Sequence, residues 1–362
     1  MAFGDGVVTR DLVVIGGSSG SLAPLRSILS ALPANFQASI LCVQHLDARG
    51  RPASAILQSS LAIRALAATD HAQLERGFAY FAPADQHLVV EDEALRVLRG
   101  PRENNVRPSI DVLFRSAAVS FRSRVIAVLL SGTQSDGVLG LSAVQRCGGL
   151  TIVHEPADAS SPELPSRALR DIRPDYVARA DQIAELLLEL CASEAPAASA
   201  VPRDLLVEAK AAAAAMAPPE TLGLDIGKPM HVTCPECDGP IWRLNSPGPA
   251  DYRCEVGHGF SLESLLAGQS RSLERALWVA FRTLKERAVI VDELAKGARE
   301  RGFASSAVSF DQRGAELEEH ANAIHRVLTA GWAESLAQPQ GEDEPIPGES
   351  SDPSAPEGQE NG

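Results

Sequence analysis

The sequence lacks a hydrophobic run long enough to cross a membrane and has few aromatic residues. Its apolar runs fall far short of the ~20 residues that span a bilayer. Phe, Trp and Tyr make up only 4% of the 362 residues, whereas apolar residues make up 45%. The first residues also lack the basic segment and cleavage site of a secretory signal. We therefore expect a cytoplasmic protein with an aliphatic core and no membrane insertion.

Basic residues are in deficit. The 33 Lys and Arg against 47 Asp and Glu give a net charge of −14, and seven of the acidic residues follow Gly341. A negative chain is repelled by phosphate backbones and by anionic lipid, so no nucleic-acid partner is expected. The segment 336–362 is rich in Pro, Gly, Ser and Glu, which predicts a disordered acidic tail.

Cysteines are too few for a disulfide scaffold, since there are six in the whole chain. Cys42, Cys147 and Cys191 stand alone in apolar surroundings, and we expect them in the core. The other three lie between residues 234 and 254, close to a histidine, and are considered below.

Strand and helix patterns alternate up to about residue 193. Short apolar runs at 12–15, 40–43 and 125–130 are typical of buried strands, and segments with helical spacing follow them. This alternation predicts an α/β domain over 8–193, with a mostly parallel, doubly wound sheet and flanking helices.

Four further segments are predicted after this domain. They are a linker with an alanine-rich helix (194–227), a zinc-ribbon-like module (228–260), a helical hairpin (261–335) and the acidic tail (336–362). In the hairpin, apolar residues recur at helical spacing over Leu262–Ala298 and Ala315–Ala330. The two helices are expected to pair antiparallel with each other or to self-associate.

Polar residues follow three of the apolar strands. Residues 16–20 read GGSSG, which fits the G-x-S-x-G pattern that exposes a central serine, here Ser18. His45 ends the second strand, and Asp136 follows the third. Because α/β proteins place active sites at the carboxyl ends of strands, these residues suit a nucleophile, a base and an orienting carboxylate.

Each of these sites has a simpler interpretation when taken alone. A small-residue loop after a first strand often binds phosphate or only turns the chain. A histidine at a strand end is usually structural, and Asp136 could merely cap a helix. The order Ser, His, Asp also differs from that of the α/β-hydrolases.

Five segments resemble the catalytic domain of the bacterial chemotaxis protein-glutamate methylesterases, the CheB family. The most specific of them is RPSIDVLF at 107–114. The other four are IGGSSG at 15–20, QH at 44–45, APADQH at 82–87, and LSG at 130–132 leading to Asp136-Gly137.

The resemblance implies a serine hydrolase that demethylates glutamate γ-methyl esters on chemoreceptors and sometimes deamidates glutamine. By position, Ser18 would be the nucleophile, His45 the general base and acid, and Asp136 the orienting carboxylate. The backbone at Ser19 and Thr133 would bind the oxyanion or line the site. Catalysis would proceed through an acyl-enzyme without a cofactor.

The sequence departs from the family pattern in two ways. Thr133 and Gln134 replace a methionine and a glycine beside the triad, which leaves open a non-enzymatic signalling adaptor. Known members also carry an N-terminal receiver domain, for which no room precedes the first strand. Activity is therefore expected to be constitutive or to be regulated through the C-terminal part.

The remaining cysteines form a C-x2-C…C-x3-H pattern, which is typical of a closed structural zinc site. The predicted ligands are Cys234, Cys237, Cys254 and His258. Alternatives are a redox pair with an unrelated histidine, or His231 as the fourth ligand. A protein-docking role is favoured over nucleic-acid binding because the acidic tail follows and few basic residues cluster here.

Overall fold

The computed structural model describes residues 8–45, 53–58, 61–213 and 226–330. The chain divides into two compact units between Leu273 and Glu274. The predicted acidic tail (336–362) and residues 214–225 of the predicted linker lie outside the described residues.

A seven-stranded parallel sheet forms the centre of the first unit, in the order β3-β4-β2-β1-β7-β8-β9. Its strands are β1 (Leu12–Gly17), β2 (Ser39–Gln44), β3 (Arg64–Ala67), β4 (Phe78–Phe81), β7 (Val125–Leu129), β8 (Leu150–His154) and β9 (Tyr176–Ala178). The chain order reverses at β1, which lies between β2 and β7. Such a switch point opens a crevice at the carboxyl ends of its strands.

Helices cover both faces of this sheet. They are α1 (Leu22–Ala31), α2 (Ala53–Leu57), α3 (Ile110–Phe121), α4 (Val138–Arg146), α5 (Glu163–Asp171), α6 (Ala180–Ala192) and α7 (Arg203–Ala213). One apolar cluster includes α3 and α4, and the other includes α1 and α6. The doubly wound α/β prediction is therefore confirmed. Cys42, Cys147 and Cys191 are buried in these clusters, as expected.

A two-stranded antiparallel hairpin, β5 (His87–Glu91) and β6 (Ala94–Leu98), lies outside the main sheet. Neither β6 nor the edge strand β3 of the main sheet was predicted from the sequence. Each of them has one buried residue among only four or five positions, which leaves little apolar signal.

The Cys/His module is a four-stranded antiparallel sheet within the first unit. Its strands are β10 (Ile226–Thr233), β11 (Pro240–Leu244), β12 (Tyr252–Cys254) and β13 (Gly259–Phe260). It has a small core of its own that contains Ile241, Tyr252 and Phe260.

Two long helices follow, α8 (Leu262–Glu300) and α9 (Ala304–Thr329). Within the second unit they are antiparallel, since Lys285 pairs with Glu318 at 2.7 Å and Arg299 pairs with Asp311. Helix α9 begins before the predicted Ala315 because its first residues are mostly exposed and carry no apolar period. None of the described helices is long and apolar enough to cross a membrane.

Candidate active site

Strand pairing brings Ser18 and His45 to the same edge of the sheet. Gly17 of β1 is the partner of Gln44 of β2, and the next residues along the two strands are Ser18 and His45. The Ser18 amide donates to the Ser131 carbonyl at 2.9 Å, and its carbonyl accepts from Gln44 Nε2 at 3.1 Å. The Ser18 backbone is thus fixed between β2 and β7, with its side chain half-buried.

The turn after β1 is relaxed at Ser18 itself. Ser18 is not among the described non-glycine residues with a positive φ, whereas Gly20 has φ +74°. A Cβ on Gly132 would lie 3.0 Å from the Ser18 Cβ. The predicted G-x-S-x-G turn is therefore present, and glycines allow it through a left-handed backbone at one position and close approach at another.

The His45 ring contacts two buried acceptors through Nε2. Its Nε2 is 3.0 Å from the Pro108 carbonyl oxygen and 3.3 Å from Asp136 Oδ2. Both partners accept, which assigns the ring proton to Nε2 and leaves the lone pair on Nδ1. The imidazole is 16% exposed, so it can receive a proton from a group at the surface.

The Asp136 carboxylate is buried at the N-terminus of α3. It accepts hydrogen bonds from the Ile110 amide at 2.6 Å, Ser109 Oγ at 2.7 Å and Asn104 Nδ2 at 3.1 Å. Burial favours the neutral acid, but these bonds and His45 outweigh it and hold the pKa of Asp136 below its usual range. The helix N-terminus adds to this preference for negative charge.

A second buried carboxylate, Asp111, lies beside Asp136. It accepts from the Gly137 and Gly140 amides at 2.9 and 2.6 Å and from Asn104 Nδ2 at 2.7 Å. Burial and the neighbouring Asp136 charge raise the pKa of Asp111 well above its usual range. The Asn104 amide therefore donates to two carboxyl groups that would otherwise repel each other.

Two backbone amides are available to a developing oxyanion. The amide N–H groups of Ser19 and Thr133 donate to no other described residue. Both residues are exposed. They follow Ser18 and Gly132, and a Cβ on Gly132 would lie 3.0 Å from the Ser18 Cβ, so the two loops lie side by side. Unengaged donors beside a nucleophile are what an oxyanion hole requires.

A second Ser-His-Asp series lies nearby. Ser131 Oγ is 3.2 Å from His154 Nδ1, and His154 Nε2 is 2.9 Å from Asp158 Oδ2. Both Ser131 and the His154 side chain are at most 1% exposed, so no substrate carbonyl can reach the hydroxyl. The geometry therefore favours Ser18 as the nucleophile.

Several residues around Asp136 were not predicted as part of the site. Asn104 was missed, and Ser109, Ile110 and Asp111 belong to a segment that was recognised only as a family motif. The sequence offered one sign of a special loop here, the Asn104-Asn105 pair. Asparagine tolerates the left-handed backbone that both residues adopt.

The predicted metal ligands form one cluster. The ligand atoms of Cys234, Cys237, Cys254 and His258 all lie within 4.8 Å of one another. His231, on β10, is not part of this group.

The spacing within this cluster suits a tetrahedral metal. Cys237 and Cys254 Sγ are 3.7 Å apart, and His258 Nδ1 is 3.4 Å from Cys254 Sγ and 3.7 Å from Cys234 Sγ. Tetrahedral zinc with bonds of about 2.3 Å to sulfur and about 2.0 Å to nitrogen places S–S pairs about 3.8 Å and S–N pairs about 3.5 Å apart. The residues present therefore fit zinc.

Comparison with known proteins gives consistent matches over the first domain. The CheB methylesterase family model matches residues 13–187. A putative protein-glutamate methylesterase/protein-glutamine glutaminase of Leptospira interrogans is 36% identical over 182 residues, which is 50% of this chain and 94% of that protein. The Thermotoga maritima protein-glutamate methylesterase/protein-glutamine glutaminase is 34% identical over 51% of this chain and 55% of that protein.

The crystal structure of the Thermotoga maritima CheB methylesterase catalytic domain also matches, with a TM-score of 0.47 and 32% identity. It covers 51% of this chain and 100% of that one. The family model covers the domain that holds Ser18, His45 and Asp136. The near-complete coverage of the Leptospira protein at 36% identity shows that this chain belongs to the CheB methylesterase family.

Proposed function

We propose that this chain is a serine hydrolase that removes the γ-methyl ester from glutamate residues of chemoreceptors. The observation that carries the proposal is the placement of Ser18 beside His45, whose Nε2 is 3.3 Å from the buried Asp136 carboxylate. A half-buried serine next to a histidine with a free Nδ1 lone pair is the arrangement that activates a hydroxyl.

The reaction follows from these roles. Ser18 Oγ attacks the ester carbonyl carbon while His45 accepts the hydroxyl proton at Nδ1. The Ser19 and Thr133 amides donate to the oxyanion, and the Asp136 carboxylate stabilises the imidazolium. His45 then protonates the departing methoxide, which leaves as methanol. Water, deprotonated by His45, attacks the acyl-enzyme and releases the glutamate carboxylate and Ser18.

The substrate assignment is supported by the names of the relatives, which include both methylesterase and glutaminase activities. Deamidation would use the same steps, with ammonia leaving in place of methanol. Chemoreceptor cytoplasmic helices or another signalling protein would be the partner, which places the enzyme in the cytoplasm.

The test is a comparison of the wild-type chain with Ser18→Ala. A fluorophosphonate probe should label the wild type and not Ser18→Ala, and methanol release from methylated receptor should be lost in parallel. Ser131→Ala is the matched control because its hydroxyl belongs to the buried series, and it should still be labelled. Labelling of Ser18→Ala at the wild-type rate would show that Ser18 is not the nucleophile and would overturn the proposal, whereas absence of labelling in the wild type would overturn it in favour of the adaptor alternative.

We also propose that Cys234, Cys237, Cys254 and His258 hold a structural zinc ion. Four protein ligands leave no open coordination position, so the metal would stabilise the module and take no part in ester hydrolysis. Metal analysis of the full chain should give one zinc per chain, and Cys234→Ser should lower that content. An unchanged low content in both proteins would contradict the site.

A further inference from the structure

The Cys/His module, called the zinc-binding module below because it holds the proposed zinc site, contacts the loop that precedes α3. In the loop, the backbone N–H of Asn104 donates to the Gly259 carbonyl at 2.8 Å, and the backbone N–H of Gly259 donates to the Arg102 carbonyl at 3.3 Å. Near the triad, Ser135 Oγ and Ser261 Oγ are 2.6 Å apart. The strand and loop that follow His258 therefore contact the two segments that flank Asp136.

The side chain of Asn104 joins the triad to the segment that directly follows this module, Ser261 and the first turn of α8. Its Nδ2 donates to Asp111 Oδ2 at 2.7 Å and to Asp136 Oδ1 at 3.1 Å. Its Oδ1 accepts from the Ser261 amide at 2.9 Å and from Ser264 Oγ at 2.8 Å. All four hydrogen-bonding positions of the amide are filled, two by carboxylates and two by the C-terminal segment.

This arrangement fixes which way the amide faces. The donors on Ser261 and Ser264 require the oxygen on their side, so the NH2 group must face the carboxylates. Asn104 is 1% exposed and has φ +52°, a backbone conformation that asparagine tolerates better than most residues. A buried, fully satisfied amide of this kind holds one orientation.

A buried ion-pair cluster anchors the same contact. Arg115 of α3 makes two hydrogen bonds to Glu103 at 2.6 and 2.8 Å, and Arg253 of β12 donates to the same carboxylate at 3.1 Å. Both arginines are at most 2% exposed. Burial opposes the charge on Glu103, but the two guanidinium groups outweigh it and lower its pKa to about 2. The module thus supplies one of two cations for a fully buried carboxylate.

We propose that Asn104 is a positioning residue for the Asp136 carboxylate, and that the zinc-binding module holds it in its working orientation. The proposal rests on the esterase function proposed above. Asp136 must keep its Oδ2 toward His45 Nε2, and the Asn104 side-chain amide holds the other oxygen together with Ser109 Oγ and the Asp111 backbone amide. The C-terminal module would therefore support turnover without touching the substrate.

The chain offers a matched pair of variants for the test. Asn104→Gly removes the amide and keeps a residue that suits the left-handed backbone. Asn105→Gly makes the same change at φ +64° and removes a hydrogen bond to the same turn of α8, from Asn105 Nδ2 to the Ser264 carbonyl at 2.7 Å. Of these two asparagines, only Asn104 donates to Asp136. Ser264→Ala removes one donor to Asn104 Oδ1 and leaves Asp136 untouched.

The measurements use the full chain: kcat and KM on methylated receptor, the rate of fluorophosphonate labelling at Ser18, and the melting temperature. Asn104→Gly should lower kcat and the labelling rate by about 10-fold to 100-fold with little change in KM, the range for a lost hydrogen bond to a charged group. Ser264→Ala should lower both by a smaller factor. Asn105→Gly should lower the melting temperature while kcat stays within about 2-fold of the wild type.

The outcomes separate the two proposals. If the wild type is labelled at Ser18 and Asn104→Gly is labelled equally fast, the positioning role is wrong and the esterase proposal stands. Equal losses of kcat in Asn104→Gly and Asn105→Gly would show a structural role alone and would also overturn it. Absence of labelling in the wild type would overturn the esterase proposal and this inference together.

Discussion

The molecule contains two Ser-His-Asp series, and the better-bonded one is not the proposed active site. Ser131, His154 and Asp158 form a continuous hydrogen-bonded chain with distances of 3.2 and 2.9 Å. In the other series, Ser18 Oγ bonds to no other described residue. His45 nonetheless has both a carboxylate and a carbonyl on Nε2.

The difference between the series is access. Ser131 is 0% exposed, whereas Ser18 is half-buried and is followed by exposed residues with free amide donors. A nucleophile must meet a carbonyl carbon and an oxyanion donor at the same time, and a sealed hydroxyl meets neither. The hydrogen bonds of the buried series instead satisfy the polar side chains of Ser131 and His154, which are buried at the ends of β7 and β8.

Replacing the two serines gives the largest expected contrast. Ser18→Ala should lower the rate of methanol release by at least about 10⁴-fold, because covalent catalysis is lost. Ser131→Ala should keep the rate and lose only a buried hydrogen bond, about 1 kcal/mol of stability. Initial rates and chemical denaturation of both variants test this contrast. Loss of activity in Ser131→Ala at full stability would reverse the assignment.

The two aspartates provide the next contrast. Asp136→Asn keeps the shape of the side chain but puts an amide next to His45 Nε2, which should favour the wrong tautomer and lower kcat by about 10³-fold to 10⁴-fold. Asp158→Asn changes the same group in the buried series and should leave kcat nearly unchanged. Equal effects of the two substitutions on kcat would remove the distinction between the series.

The parallel strands could be predicted because their apolar runs are short and continuous, and the approach of the three candidate residues to one edge of the sheet could be expected because each follows such a run. Ser18, His45 and Asp136 follow β1, β2 and β7, which are adjacent in the sheet. The partners of Asp136 could not be predicted in this way. Asn104 reaches it from a loop, and the fit of that loop depends on Ser261, more than 150 residues later. The spacing of apolar residues and the presence of short motifs carry no information about such a long-range contact.

Removing the metal should affect one series and not the other. The side-chain hydrogen bonds of Ser131, His154 and Asp158 lie within residues 131–180, whereas Asp136 depends on Asn104 and through it on the module and the start of α8. Chelation of zinc or Cys234→Ser should therefore lower kcat by about 10-fold and lower the melting temperature. Cys191→Ala, at an isolated core cysteine, is the control for loss of a buried thiol. Full kcat in a metal-free, folded chain would contradict the dependence.

The smallest expected effect concerns pH. The pKa values of both Asp136 and Asp158 are lowered, so neither carboxylate should change the stability of the fold above about pH 5. Glu208 of α7 differs, because burial and the Asp251 charge raise its pKa from 4.5 to about 7. At pH values between 4.5 and about 7, the folded chain therefore binds more protons at Glu208 than the unfolded chain does. The free energy of unfolding should therefore fall as pH rises, by up to about 1.4 kcal/mol per pH unit.

Denaturant unfolding of Glu208→Gln at a series of pH values tests this slope. The variant cannot ionise at residue 208, so its free energy of unfolding should fall less steeply than that of the wild type between about pH 5 and pH 7. Glu103→Gln is the opposite case in the same ion-pair cluster, because the pKa of Glu103 is lowered to about 2 and its charge stabilises the fold at neutral pH. That variant should be less stable than the wild type at pH values near 7. If the free energy of unfolding changes with pH at the same slope in Glu208→Gln and in the wild type, Glu208 stays ionised in the folded chain. The buried ion-pair cluster would then carry one more negative charge.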